Sequence, residues 1–110
     1  MLETSNFFTS LLKSNNMKQI ISGIQYDTDT ATEIAHDRYW DGSNHDRNGR
    51  NMTLYKTAKG RFFVHHETRW QAERDHIRPV DLEEAMELYE RLPVQPVDYF
   101  EAFGIHPEEA

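Results

Sequence analysis

Apolar and polar positions alternate with a period of two over residues 52–57 and 61–67, the strongest pattern in the chain. Leu54 lies between Thr53 and Tyr55, and Phe62, Val64 and His66 alternate with Phe63 and His65. Ala58-Lys59-Gly60 between the two runs suits a three-residue turn, with Gly60 left-handed. The pattern predicts a β-hairpin over 52–67. A second, shorter hairpin is predicted over 18–27, with Lys18–Ile21 and Ile24–Asp27 flanking Ser22-Gly23. His76–Val80 reads as an edge strand closed by Pro79.

Helical spacing takes over elsewhere. Leu82, Ala85, Met86, Tyr89 and Leu92 fall on one face of a helix predicted over 82–92, and Glu83, Glu87 and Glu90 fall on the other. Asp81 is its N-cap, Glu84 sits three residues on, and Pro93 and Pro96 end it. Ala31, Ile34 and Ala35 have i, i+3, i+4 spacing behind Thr30 and Glu33, which have capping-box spacing, so a helix is predicted over 29–39. Phe7, Phe8, Leu11 and Leu12 suggest a short helix started by Thr4 or Ser5. A further helical turn is expected between Asp98 and Gly104. Residues 41–51 hold no apolar side chain and read as a loop.

The order of these elements predicts an α+β domain over 18–92, an antiparallel sheet packed with helices. Residues 1–17 form an extension and 93–110 an acidic, aromatic tail. A small curled barrel with helical lids is the alternative. At 110 residues, one core is expected.

Charge changes the picture more than composition does. Residues 81–110 hold nine carboxylates against Arg91 alone, a formal −8, whereas residues 1–80 hold ten acids and eleven bases. A field of one sign at one end selects partners and sets association rates. Thirteen aromatic residues argue for a folded chain. No cysteine is present, which rules out disulfides and thiolate metal sites and makes a reducing cytoplasm the expected compartment. No apolar run approaches the ~18 residues of a membrane span, and the N-terminus lacks the basic start of a signal peptide.

Three stretches, Tyr26-Asp27-Thr28 with Thr30-Ala31 and Ile34-Ala35, Leu54-Tyr55-Lys56-Thr57 with Gly60 and Phe62-Phe63, and Ile77-Arg78-Pro79-Val80 with Glu84-Ala85, carry a resemblance. Over residues 18–92 the chain resembles small proteins carried by bacteria, phages and plasmids, most without assigned function. The shared residues are turn, capping and core positions. Small acidic proteins of mobile elements include inhibitors of host defence such as anti-CRISPR proteins, so the resemblance implies a phage or plasmid setting.

Candidate chemistry is sparse. His36, His45, His65, His66, His76 and His106 invite a metal site, but His65 and His66 point to opposite faces of a strand and no metal-binding motif is present. His45, Asn48 and Asn51 beside a hairpin faintly resemble a His/Asn nuclease, without the second histidine on a following helix. No catalytic, cofactor-binding or metal residue is therefore assigned, and a metal-dependent hydrolase ranks last. Nine bases and five acids lie between Arg38 and Arg78, interleaved with aromatics, which suits phosphate contacts and base stacking. Arg47, Arg50, Lys56, Lys59 and Arg61 are the candidate nucleic-acid contacts. Pairing of these bases with the acidic last helix and tail ranks above that use, because the whole chain is acidic.

The expected function is a non-enzymatic protein that binds another protein, with inhibition of a nucleic-acid-handling defence complex as its setting. Glu83, Glu87, Glu90, Asp98 and Glu101 would supply the acidic contacts, and Trp40, Trp70, Tyr99 and Phe100 the aromatic ones. Docking of the tail aromatics on the chain's own core, or a homodimer contact through them, is an open alternative.

Overall fold

The long hairpin organises everything around it. β4 (Arg50–Lys56) and β5 (Phe62–Thr68) pair antiparallel in unbroken register from Arg50↔Thr68 to Lys56↔Phe62. Their turn is closed by Thr57 N–H to Arg61 C=O at 2.8 Å and Gly60 N–H to Thr57 C=O at 2.9 Å, with Gly60 at φ +86°. The structure, a computed structural model, describes residues 16–38, 50–70 and 72–110. The expected N-terminal helix, Trp40, His45, Arg47 and Asn48 lie outside them.

β6 (His76–Val80) pairs with β5, and β3 (Thr32–His36) pairs with β4, giving one antiparallel sheet in the order β3-β4-β5-β6. β1 (Lys18–Ile21) and β2 (Ile24–Asp27) form a separate two-stranded sheet. Both residues of their turn, Ser22 and Gly23, have positive φ, as a two-residue hairpin of right-handed twist requires. The helices are α1 (Leu82–Arg91) and α2 (Tyr99–Phe103). The architecture is α+β.

Three expectations need correction. In place of the helix expected over 29–39, Thr32–His36 form the strand β3. Thr30, expected to cap a helix, closes a turn with Asp27 instead: Asp27 Oδ1 accepts from Asp29 N–H at 2.9 Å, and the Asp27 carbonyl accepts from Thr30 N–H at 3.3 Å. A β-bulge between Glu33 and Ala35 then sends Ile34 and Ala35 into the same core, while Ala31 packs on the opposite side of the sheet. A bulged strand thus imitates helical spacing, and the β-branched Thr30, Thr32 and Ile34 suit the extended form.

The second correction concerns the expected single sheet: the hairpin over 18–27 forms with the expected bounds, but as a separate sheet that covers a face of the main one. The outer edge of β6 offers no free donor at alternate positions: Ile77 N–H donates to Gln19 Oε1 at 3.1 Å, and Pro79 has no amide hydrogen. Third, Arg50 and Asn51 belong to β4, not to the loop expected over 41–51. Asn51 Nδ2 donates to the Asp37 carbonyl at 3.3 Å, so its polar side chain is used by the end of β3.

The four-stranded sheet is therefore a middle layer, because its alternation has hydrophobic residues on both faces. Ile34, Ala35, Leu54, Phe62 and Val64 pack against Ala85, Leu88, Tyr89 and Leu92 of the helical layer. Tyr55, Phe63 and Ile77 pack against Tyr26 of the two-stranded layer. Leu82 departs from the expected inner face of its helix and is 44% exposed.

The segment after Pro93 is fastened to this core. Val94 and His36 exchange backbone hydrogen bonds at 2.8 and 3.0 Å, the Tyr89 hydroxyl donates to the Val97 carbonyl at 2.8 Å, and Ala102 is fully buried.

Candidate interaction surface

The outer side of α1 begins with its inner side. Ala85, Leu88, Tyr89 and Leu92 are buried, so Glu83, Glu87 and Glu90 must project outward, and all three are exposed. The Asp81 carboxylate accepts from Glu84 N–H at 2.8 Å, which caps the helix. Arg91 ends it, and Leu92 N–H closes the last turn onto Leu88 C=O. The Glu84 carboxylate takes Arg78 Nη1 at 2.7 Å and ties α1 to β6. Among the described residues, Glu83, Glu87 and Glu90 form no ion pair, although Arg91 follows Glu87 by four positions. Like charges at this spacing repel by a few tenths of a kcal/mol.

α2 carries the next two acids. Asp98 caps it by accepting from Glu101 N–H at 2.8 Å, and Gly104 at φ +72° ends it by donating to Phe100 C=O. Asp98 and Glu101 are exposed, and the Glu101 side chain has no ion pair among the described residues.

The expected aromatic contacts do not converge. Tyr99 is half-buried and packs edge-on against Tyr89 and Phe103, at 5.6 and 5.0 Å between ring centroids, so much of it serves the core. Phe100 is 47% exposed and stacks on His106 at 4.1 Å. Trp70 is also 47% exposed, but it follows the far end of β5. α2 touches the near end of that strand through Phe62 and Phe103, at 5.4 Å. Seven residues of strand, roughly 20 Å, separate the two ends.

The candidate bases divide into tied and open ones. Arg50 grips Glu73 with two nitrogens, and Lys56 Nζ reaches the Glu101 carbonyl at 3.5 Å. Arg38 and Arg78 form ion pairs as well. Lys59 and Arg61, on the β4–β5 turn, are exposed and without an ion pair among the described residues. The acidic last helix and tail thus hold Arg78 and Lys56, while Arg38 and Arg50 find acids elsewhere.

A row of buried polar groups on the two-stranded side of the sheet escapes a search for motifs. Thr53 is 1%, His65 2% and Glu67 8% exposed. Arg38 Nε donates to Thr53 Oγ1 at 2.9 Å and lies 3.8 Å from Glu67 Oε1, and Arg38 also pairs with Glu33. Burial pushes the Glu67 carboxyl up, against the pull of Arg38, and pushes the His65 imidazole down. His65 Nε2 is buried with no hydrogen-bond partner. On the other face His66 stacks on His76 at 4.6 Å; burial, then the neighbouring His76, bring His66 down to about 4. The signal for the row was present in the alternation: Phe63, His65 and Glu67 share a face, and Thr53 stands opposite His65. Among the described residues, no three His, Asp or Glu side chains converge as metal ligands.

No helix among the described residues is long and apolar enough to cross a membrane. No protein-family model, curated protein or solved structure matches the chain.

Proposed function

We propose that the chain is a binding protein that presents carboxylates to a basic groove of a protein partner, in competition with the phosphates of a nucleic acid. The observation that carries this reading is the unpaired row Glu83, Glu87 and Glu90 on a helix whose opposite face is locked into the core. A rigid array loses little conformational freedom on binding, and a one-signed field speeds encounter with a basic surface. Asp98 and Glu101 extend the negative region along α2, and Phe100 supplies an exposed ring beside them. In a phage or plasmid setting, occupation of such a groove would inhibit a nucleic-acid-handling defence complex.

The test is capture from host lysate at physiological salt with the wild-type chain and with Glu83→Lys/Glu87→Lys/Glu90→Lys as baits. The proposal expects a partner that is retained by the wild type, lost by the variant and displaced by added single-stranded oligonucleotide. Equal capture by both baits, or none, overturns it.

A second reading, a nucleic-acid-binding module, is favoured by the open pair Lys59 and Arg61. It predicts a salt-sensitive gel shift of a single-stranded oligonucleotide that Lys59→Glu/Arg61→Glu abolishes.

A further inference from the structure

Two clefts meet at the β4–β5 turn. One, of about 440 Å³, is lined by Tyr26, Gln25, Thr30, Thr57, Lys59 and Arg61. It carries two cations and no acid. The other, of about 460 Å³, shares Tyr26 and Arg61 and adds the apolar surface of Phe62, Pro79, Val80 and Leu82. Its one carboxylate, Asp81, is engaged as the helix cap. The pair makes one groove, apolar at the α1 end and cationic at the turn.

The chain also holds a segment complementary to that groove. Gly104–Ala110 are all exposed, with Ile105 46% exposed, and this stretch carries Glu108 and Glu109 without an ion pair among the described residues. Gly104 turns the chain, and the His106 ring stacks on Phe100, so the segment lies against its own α2 and outside the groove. Ile105 and Glu108 stand three residues apart, about 10 Å when extended, which suits an apolar anchor followed by an acidic contact.

We infer that the groove receives the Ile105–Glu109 segment of a second copy of this chain. Ile105 enters the apolar cleft beside Leu82 and Val80, and Glu108 and Glu109 meet Lys59 and Arg61. Phe62 lines the cleft and touches Phe103, so groove and segment adjoin at the same end of the molecule. That adjacency lets two copies exchange segments about a two-fold axis, giving a closed dimer and not a filament. The residues differ from those of the carboxylate face on α1, which stays free in the dimer.

Sedimentation velocity of the full chain from micromolar to millimolar concentration tests this inference. A concentration-dependent dimer that dissociates as salt is raised is expected. Lys59→Glu/Arg61→Glu and Glu108→Lys/Glu109→Lys should each weaken dimerisation about tenfold or more. An equimolar mixture of the two variants should recover a heterodimer, because opposite charges then face each other across both contacts. That rescue also shows that both variants fold. A monomer at every concentration overturns the inference, as does a dimer indifferent to both charge reversals. Concentration-independent shifts of the Ile105–Glu109 amide resonances on Lys59→Glu would show docking within one chain and overturn it too. Oligonucleotide binding at Lys59 and Arg61 without self-association assigns the groove to nucleic acid and overturns it equally.

Discussion

Two groups of charged residues on this chain meet opposite fates. Glu67 is buried beneath the sheet, shares Arg38 with Glu33 and Thr53, and has its carboxyl pushed up by burial. Glu83, Glu87 and Glu90 stand on the outside of α1 with no ion pair among the described residues. Residue type is the same in both places, and the surroundings decide what it does. Beneath the sheet a carboxylate is held by a guanidinium, and losing that partner would expose its desolvation cost. On α1 the carboxylates are hydrated and contribute little to folding, which leaves them available to a partner.

The largest expected effect lies in the buried group. Arg38→Met removes the cation beside Glu67 and the donor to Thr53, and should cost about 2 kcal/mol of stability. Fully buried pairs lose more; here the Arg38 side chain is 37% exposed, which reduces the loss. Chemical denaturation at neutral pH measures it. If Arg38→Met proves as stable as the wild type, Glu67 is not held in the way described. The double variant Arg38→Met/Glu67→Leu should recover much of the loss, since it removes both charges.

Acid should act on both faces of β5 with a definite sign. His66 is held down to about 4 in the folded chain against an ordinary 6.5, and His65 is also lowered. As pH falls from 6.5 to about 4, the unfolded chain takes up protons that folded His66 refuses, so stability declines across that window and levels off below it. Glu67 acts the other way: its raised carboxyl binds a proton in the folded state before it does in the unfolded one. Glu67→Gln should therefore steepen the acid loss, and His66→Gln should flatten it. Melting temperature against pH for the wild type and both variants separates the two contributions. Parallel curves would mean that neither group senses its surroundings as described.

The contrast was partly legible in the sequence. Alternation located β4, β5 and β6, and the Asp81 cap with its apolar stripe located α1, because each depends on local periodicity and local chemistry. The same stripe placed Glu83, Glu87 and Glu90 outside. Alternation also put His65 and Glu67 in one row with Phe63, but could not tell that a second layer, β1–β2, covers the Phe63 end of that face. Layering is a non-local property. The strand β3 failed for a different reason: a bulge makes two adjacent apolar residues share a face, and single-sequence spacing cannot distinguish that from a helix. Nor could spacing show that Lys59 and Arg61 stay open while Arg50 is claimed by Glu73, since those pairings are set by the turn and the loop after β5.

The smallest expected effect in stability falls on α1, and it completes the comparison. Changing Glu83, Glu87 and Glu90 together to Gln should shift stability by no more than about 0.5 kcal/mol, with the sign favouring the variant. Glu83 and Glu87 are four residues apart and Glu87 and Glu90 three, so the substitutions relieve like-charge repulsion along one helical face. Their opposing contribution is small, because Glu83 alone lies in the first turn, where a carboxylate complements the helix dipole. A stability loss well beyond that size would show that these carboxylates support the fold and would remove the argument for their availability. An unchanged or slightly raised melting temperature, with a slower association rate toward a basic partner, would place their effect in recognition alone: charges that cost the folded chain a little repulsion gain their value when an oppositely charged surface arrives.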